Sequence, residues 1–185
     1  QGIADAYEMQ ALAAAKLGIE PYLVGVASTG VIGESMNMEP VVKGVEMLNP
    51  NNAVESGIDF AQAILTTDTV MKNTAYATVI DGKEVLVAGT AKGSGMIEPN
   101  MATMLGFITT DANIESDELQ KALSDITNVT FNAITVDGDT STNDTVVVMA
   151  NGLAGNEPLT PAHPDWNNFY TALRLVAEDL AKAIA

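Results

Sequence analysis

The chain has 185 residues, 24 acidic side chains against 8 basic ones, a formal net charge of −16 and no cysteine. The length suits one globular domain or two small ones, and a 47% hydrophobic content with 17% charged residues supplies a core and excludes a disordered-type composition. The charge balance argues against nucleic acid and anionic membranes as partners, because either needs a basic patch. The missing cysteine removes disulfides, thiolate nucleophiles and every Cys-based metal site, and it fits a reducing compartment, with the cytoplasm as default. No stretch approaches the roughly 18 uninterrupted apolar residues of a membrane span. The first ten residues lack the basic-then-apolar layout of a signal peptide. The chain opens on Gln1-Gly2 without Met, as expected of a processed or excised chain.

In chain order, Ile3, Ala6, Tyr7, Met9, Gln10, Leu12, Ala13 and Leu17 follow helical spacing, predicting a helix over 2–17 that Gly18 stops. Tyr22–Ala27 is an apolar run bounded by turn residues and reads as a buried strand. A Pro-led helix is expected over Pro40–Leu48, then a turn at Asn49-Pro50-Asn51-Asn52 and a helix at about 53–65. Thr74–Ile80 and Glu84–Ala91 alternate around Asp81-Gly82, a strong hairpin signal. Thr103–Thr110 reads as a strand, Ser116 to about Asn128 as a helix with acidic residues in its first turn, and Phe131–Val136 as strand-like. Thr145–Ala150 fits either a helix or a strand, and Asp165–Ala185 a long amphipathic helix. Helices at both ends with strands between them predict a layered α/β fold.

Several arrangements that could carry chemistry fail on inspection. His163, the single histidine, lies between Pro161 and Pro164 in a loop, so a solvated loop histidine is the expectation and a Ser-His-Asp device is not. The polar run Asp137–Asp144 resembles the opening of a calcium loop, but Thr142 stands where the sharp turn wants Gly and Val148 where a bidentate Glu belongs. A turn satisfying its own backbone donors is favoured there, and no metal is expected. Ala88–Gly95 matches neither phosphate-loop pattern, because Glu98 replaces the last glycine of one and the Lys-Ser/Thr pair of the other is missing. Lys92 then reads as a solvated loop lysine.

A chain without cysteine or a usable histidine has few routes to a covalent intermediate. One is a threonine opening a strand, which uses its own α-amino group as base once the preceding peptide bond is cut. Thr103 is placed for this, its hydroxyl attacking the Ala102 carbonyl and the resulting ester hydrolysing. Ser28-Thr29-Gly30 offers backbone N–H groups for an oxyanion. The competing reading is a strand end and a turn.

Four blocks decide between these: Val26–Gly33 (VASTGVIG), Thr66–Thr69 (TTDT), Ala91–Leu105 (AKGSGMIEPNMATML) and Ile134–Asp144 (ITVDGDTSTND). In order and spacing they resemble the ornithine acetyltransferase, or glutamate N-acetyltransferase, family, over the whole of 1–185. The resemblance implies a self-cleaving acyltransferase of arginine biosynthesis that moves an acetyl group from N-acetylornithine to glutamate through an acetyl-threonine, with no cofactor and with acetyl-CoA as a further donor to consider. It implies cleavage between Ala102 and Thr103, giving pieces 1–102 and 103–185, and Thr103 as nucleophile. Thr29 and Gly30 would form the oxyanion hole, and Thr69, Lys92 and Thr103 would bind substrate. Lys92 would meet a substrate carboxylate, and the net charge of −16 makes the few lysines near the expected site, Lys72 and Lys92, conspicuous for carboxylate-bearing substrates. It further implies that the segment is the central part of a longer two-chain enzyme, associating as a heterotetramer. The alternatives are an amidohydrolase with the same nucleophile and a catalytically incomplete fragment.

Overall fold

The computed structural model describes residues 2–31, 33–51, 53–94, 104–136 and 143–185. The chain divides into two compact units, Gln1–Ser56 and Gly57–Ala185.

In the first unit, α1 (Gly2–Leu17) ends as expected, with Gly18 at φ +68° and the Ile19 amide donating to the Ala14 carbonyl at 3.1 Å. α2 (Met38–Met47) starts two residues before Pro40. Asn37 caps it, its side chain accepting from the Glu39 amide at 3.2 Å, which leaves Pro40 in the first turn where no N–H is needed. Lys16 Nζ ties α1 to α2 through the Glu46 carbonyl at 2.8 Å. The predicted strand over Tyr22–Ala27 does not form. Pro21 has no N–H for a ladder and instead opens a 3-10 turn, Pro21–Leu23, closed by the Val24 amide on the Pro21 carbonyl at 3.0 Å. Tyr22 and Leu23 are exposed, so the apolar run is not buried. Ala14 is the one fully buried residue among the described residues of this unit.

The second unit holds the core. α3 (Val54–Ala63) leads into it, and β1 (Lys72–Ile80) and β2 (Lys83–Lys92) form the predicted hairpin. Asp81 at φ +52° and Gly82 at φ +71° make the two-residue turn in which both positions are left-handed, the conformation that Asp-Gly tolerates. β2 pairs antiparallel with β3 (Leu105–Thr110), and β3 pairs parallel with β4 (Thr145–Ala150), giving sheet order β1-β2-β3-β4. Parallel pairing needs a crossover, which α4 (Ser116–Val129) supplies. Phe131–Val136 is not a strand: Phe131–Ala133 is a 3-10 turn after α4, and Phe131 is buried as a core plug.

α5 (Trp166–Ile184) packs on one face of the sheet through Phe169, Ala172, Leu173, Val176, Ala177 and Leu180, all at helical spacing. The strands meet it with Val85, Val87 and Ala91 of β2 and Ile108 of β3. Asp179 of α5 accepts from Tyr76 Oη at 2.7 Å and Thr74 Oγ1 at 3.1 Å, which fixes the helix along β1. The other face carries the alternate residues, among them Val79, Leu86 and Met149, all exposed, while Phe60 of α3 meets Phe107 edge-on at 5.2 Å.

Gly89 lets α5 approach this closely. A Cβ there would lie 2.9 Å from both Leu180 Cδ1 and Val176 Cγ1, and both side chains are buried. Gly89→Ala is therefore expected to cost about 1–3 kcal/mol through overpacking. Urea unfolding followed by the fluorescence of Trp166, the only tryptophan, checks this. An unchanged midpoint would mean that α5 shifts freely.

Candidate active site

Two of the four sequence blocks meet in the second unit. Residues 66–68 lie against residues 92–94, three consecutive residues bonding to three consecutive residues. Thr66 Oγ1 accepts from Lys92 Nζ at 3.3 Å, Asp68 Oδ1 accepts from the Gly93 amide at 2.7 Å, and Thr67 Oγ1 and Ser94 Oγ share a hydrogen bond of 2.7 Å. Thr69 follows at once and is exposed.

Lys92 is not the solvated loop lysine that its surroundings in sequence suggest. It is the last residue of β2 and only 2% exposed. Burial drives its ammonium below the usual lysine range, against the negative charges of Asp68 and Asp144, which favour the charged form. Among the described residues its hydrogen-bond partner is the Thr66 hydroxyl, a neutral one. A cation so placed is suited to an incoming carboxylate, since Coulomb attraction strengthens where water is excluded.

Lys72 behaves differently from the expectation. Its Nζ is 2.6 Å from Asp68 Oδ1, and both side chains are buried, at 5% and 0% exposure. This lysine is committed to an internal partner and is not offered to substrate. For Asp68, burial works against the charge, yet the hydrogen bonds from Lys72, the Gly93 amide and the Thr66 amide hold its carboxyl below the usual carboxylate range. Gly93 has φ +149°, a conformation essentially confined to glycine, and it directs its N–H at Asp68.

A second anchor lies where β3 begins. Met104 is buried; its N–H donates to Asp144 Oδ1 at 2.8 Å and its carbonyl accepts from the Thr145 amide at 3.1 Å. Asp144, the last residue of the acidic run, thus holds the backbone of the residue next to Thr103, a role that its sequence pattern did not disclose. Ala102 and Thr103 lie outside the described residues, as do residues 137–142, for which the sequence predicts a turn. Thr29 is half-buried and Gly30 exposed, both in the irregular stretch of the first unit that follows the Pro21–Leu23 turn.

His163 departs from the solvated loop expected of it. Its side chain is 10% exposed, Nε2 is 3.1 Å from Asp81 Oδ1, and Nδ1 accepts from the Asp165 amide at 3.0 Å. Asp81 and Asp165 accept in turn from the Glu157 and Asp81 amides, each at 2.9 Å. These three side chains, whose ligand atoms lie within 4.8 Å of one another, bolt the hairpin turn to the loop before α5.

The whole chain, residues 1–185, matches the ArgJ family. It is 63% identical over 185 residues to the arginine biosynthesis bifunctional protein ArgJ of Geobacillus stearothermophilus, and also 63% identical to that of Bacillus subtilis strain 168. In both cases the match covers all of this chain and 45% of the relative, so the chain spans less than half the length of these proteins. A crystal structure of the arginine biosynthesis bifunctional protein argJ from Bacillus halodurans aligns with 75% identity over 45% of this chain and 39% of that one, at a TM-score of 0.45. The chain belongs to the ArgJ family.

Proposed function

We propose that this chain is the central part of an acetyltransferase of arginine biosynthesis, in which Thr103 takes an acetyl group from N-acetylornithine and passes it to glutamate. The observation that carries the reading is the pairing of residues 66–68 with 92–94, which brings Thr69 and the buried Lys92 to one end of the sheet in a chain that matches the family throughout. In this reading the Thr103 hydroxyl first attacks the Ala102 carbonyl, an N-to-O acyl shift makes an ester, and water hydrolyses it. The cut leaves pieces 1–102 and 103–185 with a free threonine α-amine as base. The hydroxyl then attacks the acetyl carbonyl, ornithine leaves, and the glutamate amine attacks the acetyl-threonine ester to release N-acetylglutamate.

Thr29 and Gly30 would stabilise the oxyanion, and Thr69, Lys92 and Thr103 would bind substrate. The relatives' names call them bifunctional, and acetylation of glutamate from acetyl-CoA is the second activity we assign, with no resident cofactor. The pieces would stay associated as a heterotetramer, in the cytoplasm, with N-acetylornithine and glutamate as small-molecule substrates.

The test is intact mass followed by a transfer assay on an enzyme in which this chain replaces the equivalent segment of the Geobacillus stearothermophilus relative. Two pieces divided between residues 102 and 103, and ornithine release that requires glutamate, are the expected result. Ornithine release without glutamate would establish an amidohydrolase, and an uncut chain would overturn the reading.

In the same enzyme, Lys92→Ala should raise KM for glutamate about 10–100-fold with a smaller change in kcat, the pattern of a lost charge-assisted bond. The pH dependence has a definite sign. Because the folded chain releases the Lys92 proton more readily than the unfolded one, carboxylate affinity should fall as pH rises, before the ordinary lysine range is reached. A glutamate KM independent of pH up to that range would remove Lys92 from the binding site.

A further inference from the structure

We propose that Asp68 is the positioning residue of this site, a single buried carboxylate that joins Lys72, the Gly93 amide and the Thr66 amide and so holds Lys92 and Thr69 in register. The inference rests on reading Lys92 and Thr69 as substrate-binding groups. Asp68 itself does not touch substrate. Its side chain is fully buried, Oδ1 is taken by Lys72 Nζ at 2.6 Å and Gly93 N–H at 2.7 Å, and Oδ2 faces the Thr66 amide at 3.4 Å.

Two arguments single it out from the other members of the seam. The first is strength. Of the three bonds that cross from 66–68 to 92–94, the Thr67–Ser94 pair is neutral and exposed and the Thr66–Lys92 bond is long, whereas the Asp68–Gly93 bond is short, charge-assisted and shielded. The second is position. Lys92 precedes Gly93 and Thr69 follows Asp68, so each substrate group stands one peptide bond from the Asp68–Gly93 link. Movement at that link is transmitted directly to both.

Charge adds a further consequence. Among the described residues the groups that bear on Lys92 are Asp68, Asp144 and, through Asp68, Lys72. Neutralising Asp68 leaves two buried cations with Asp144 as the remaining negative charge, and the Lys92 ammonium is then held less firmly.

The experiment uses Asp68→Asn and Asp68→Glu in this chain, observed by NMR. In Asp68→Asn the Gly93 amide should exchange with solvent roughly tenfold faster or more, relative to the β2 amides of Val85 and Val87, which should not change. The midpoint of the Lys92 13Cε titration should move to lower pH, and Asp68→Glu should restore it at least in part. In the transfer enzyme described above, Asp68→Asn should raise the glutamate KM about tenfold while the 102/103 cut proceeds as in the parent. A folded Asp68→Asn chain with Gly93 exchange and Lys92 midpoint both unchanged would overturn the proposal.

Should Asp68→Asn not fold, the parent chain answers the same question. A scalar coupling across the hydrogen bond from Gly93 N–H to the Asp68 carboxylate carbon supports the proposal, and its absence overturns it. If the NMR results hold but the parent enzyme, with Asp68 in place, neither cuts nor transfers, the acetyltransferase reading falls while the structural role of Asp68 stands.

Discussion

With Thr103 replaced by alanine, the chain should remain in one piece and transfer no acetyl group. Both outcomes follow from the proposed role of a single hydroxyl, which would attack the Ala102 carbonyl in the first event and the acetyl carbonyl in every later one. Loss of a covalent nucleophile typically costs three or more orders of magnitude in rate, roughly 4 kcal/mol or more of barrier. The free α-amine could not compensate, because in this mechanism it would exist only after the cut. Thr103→Ser keeps the hydroxyl and should retain both events at reduced rate. Intact mass reads the cut and ornithine release reads the transfer. Persistence of either in Thr103→Ala, at more than about a hundredth of the parent rate, would sink the assignment. The backbone supports the expectation from one side, since Met104, the next residue, is clamped by Asp144 and by the Thr145 amide.

The largest effect on stability is expected at Lys72. Lys72→Met keeps the aliphatic stem but strands the Asp68 carboxylate in a buried setting, and breaking a buried pair in this way usually costs about 3–5 kcal/mol. The sign of its pH dependence can be worked out. In the parent, the Asp68 carboxyl is held below its ordinary range, so its contribution is complete at neutral pH and is lost progressively as pH falls from the ordinary carboxylate range to that depressed value. In Lys72→Met the carboxyl loses its cation while burial still opposes its charge, so it takes up a proton more readily. The gap between variant and parent should therefore shrink from neutral to mildly acidic pH. Urea unfolding followed at Trp166 measures it. A gap that stays constant with pH would show that the loss is one of packing and not of charge.

What the sequence disclosed, and what it hid, divides by range. The Asp81-Gly82 hairpin, α4 and α5 were legible because turn chemistry and apolar periodicity are local, and both are confirmed by φ angles and burial. Tyr22–Ala27 was misread because an apolar run says nothing of whether a partner strand exists, and Phe131–Val136 because a core plug and a strand both want an aromatic residue. Thr145–Ala150, ambiguous by pattern, became a strand because β3 offered it an edge.

At the site, Lys92 looked like a loop lysine until the resemblance recast it. Nothing in its neighbours in sequence announces that Thr66 and Asp68, more than twenty residues earlier, will enclose it. Lys72 and Asp68 stand four apart on backbone that is not helical, so the spacing carried no signal. The hydrogen bond from Met104 to Asp144, forty residues apart, was equally invisible.

The order of strands in the sheet bears on what a break at 102/103 would do. β1 and β2 would belong to one polypeptide and β3 and β4 to the other, yet β2 and β3 are neighbours with six paired positions, and α5 of the second polypeptide lies across β1 and β2 of the first. The severed bond would thus sit in a connection between adjacent strands of one sheet, and neither product would own a complete core. Cleavage here would work like the nicking of a split protein, creating a new chain terminus while the non-covalent lattice around it keeps the two parts from drifting apart. A terminus generated this way would belong to a polypeptide whose strands are already paired with those of the other piece.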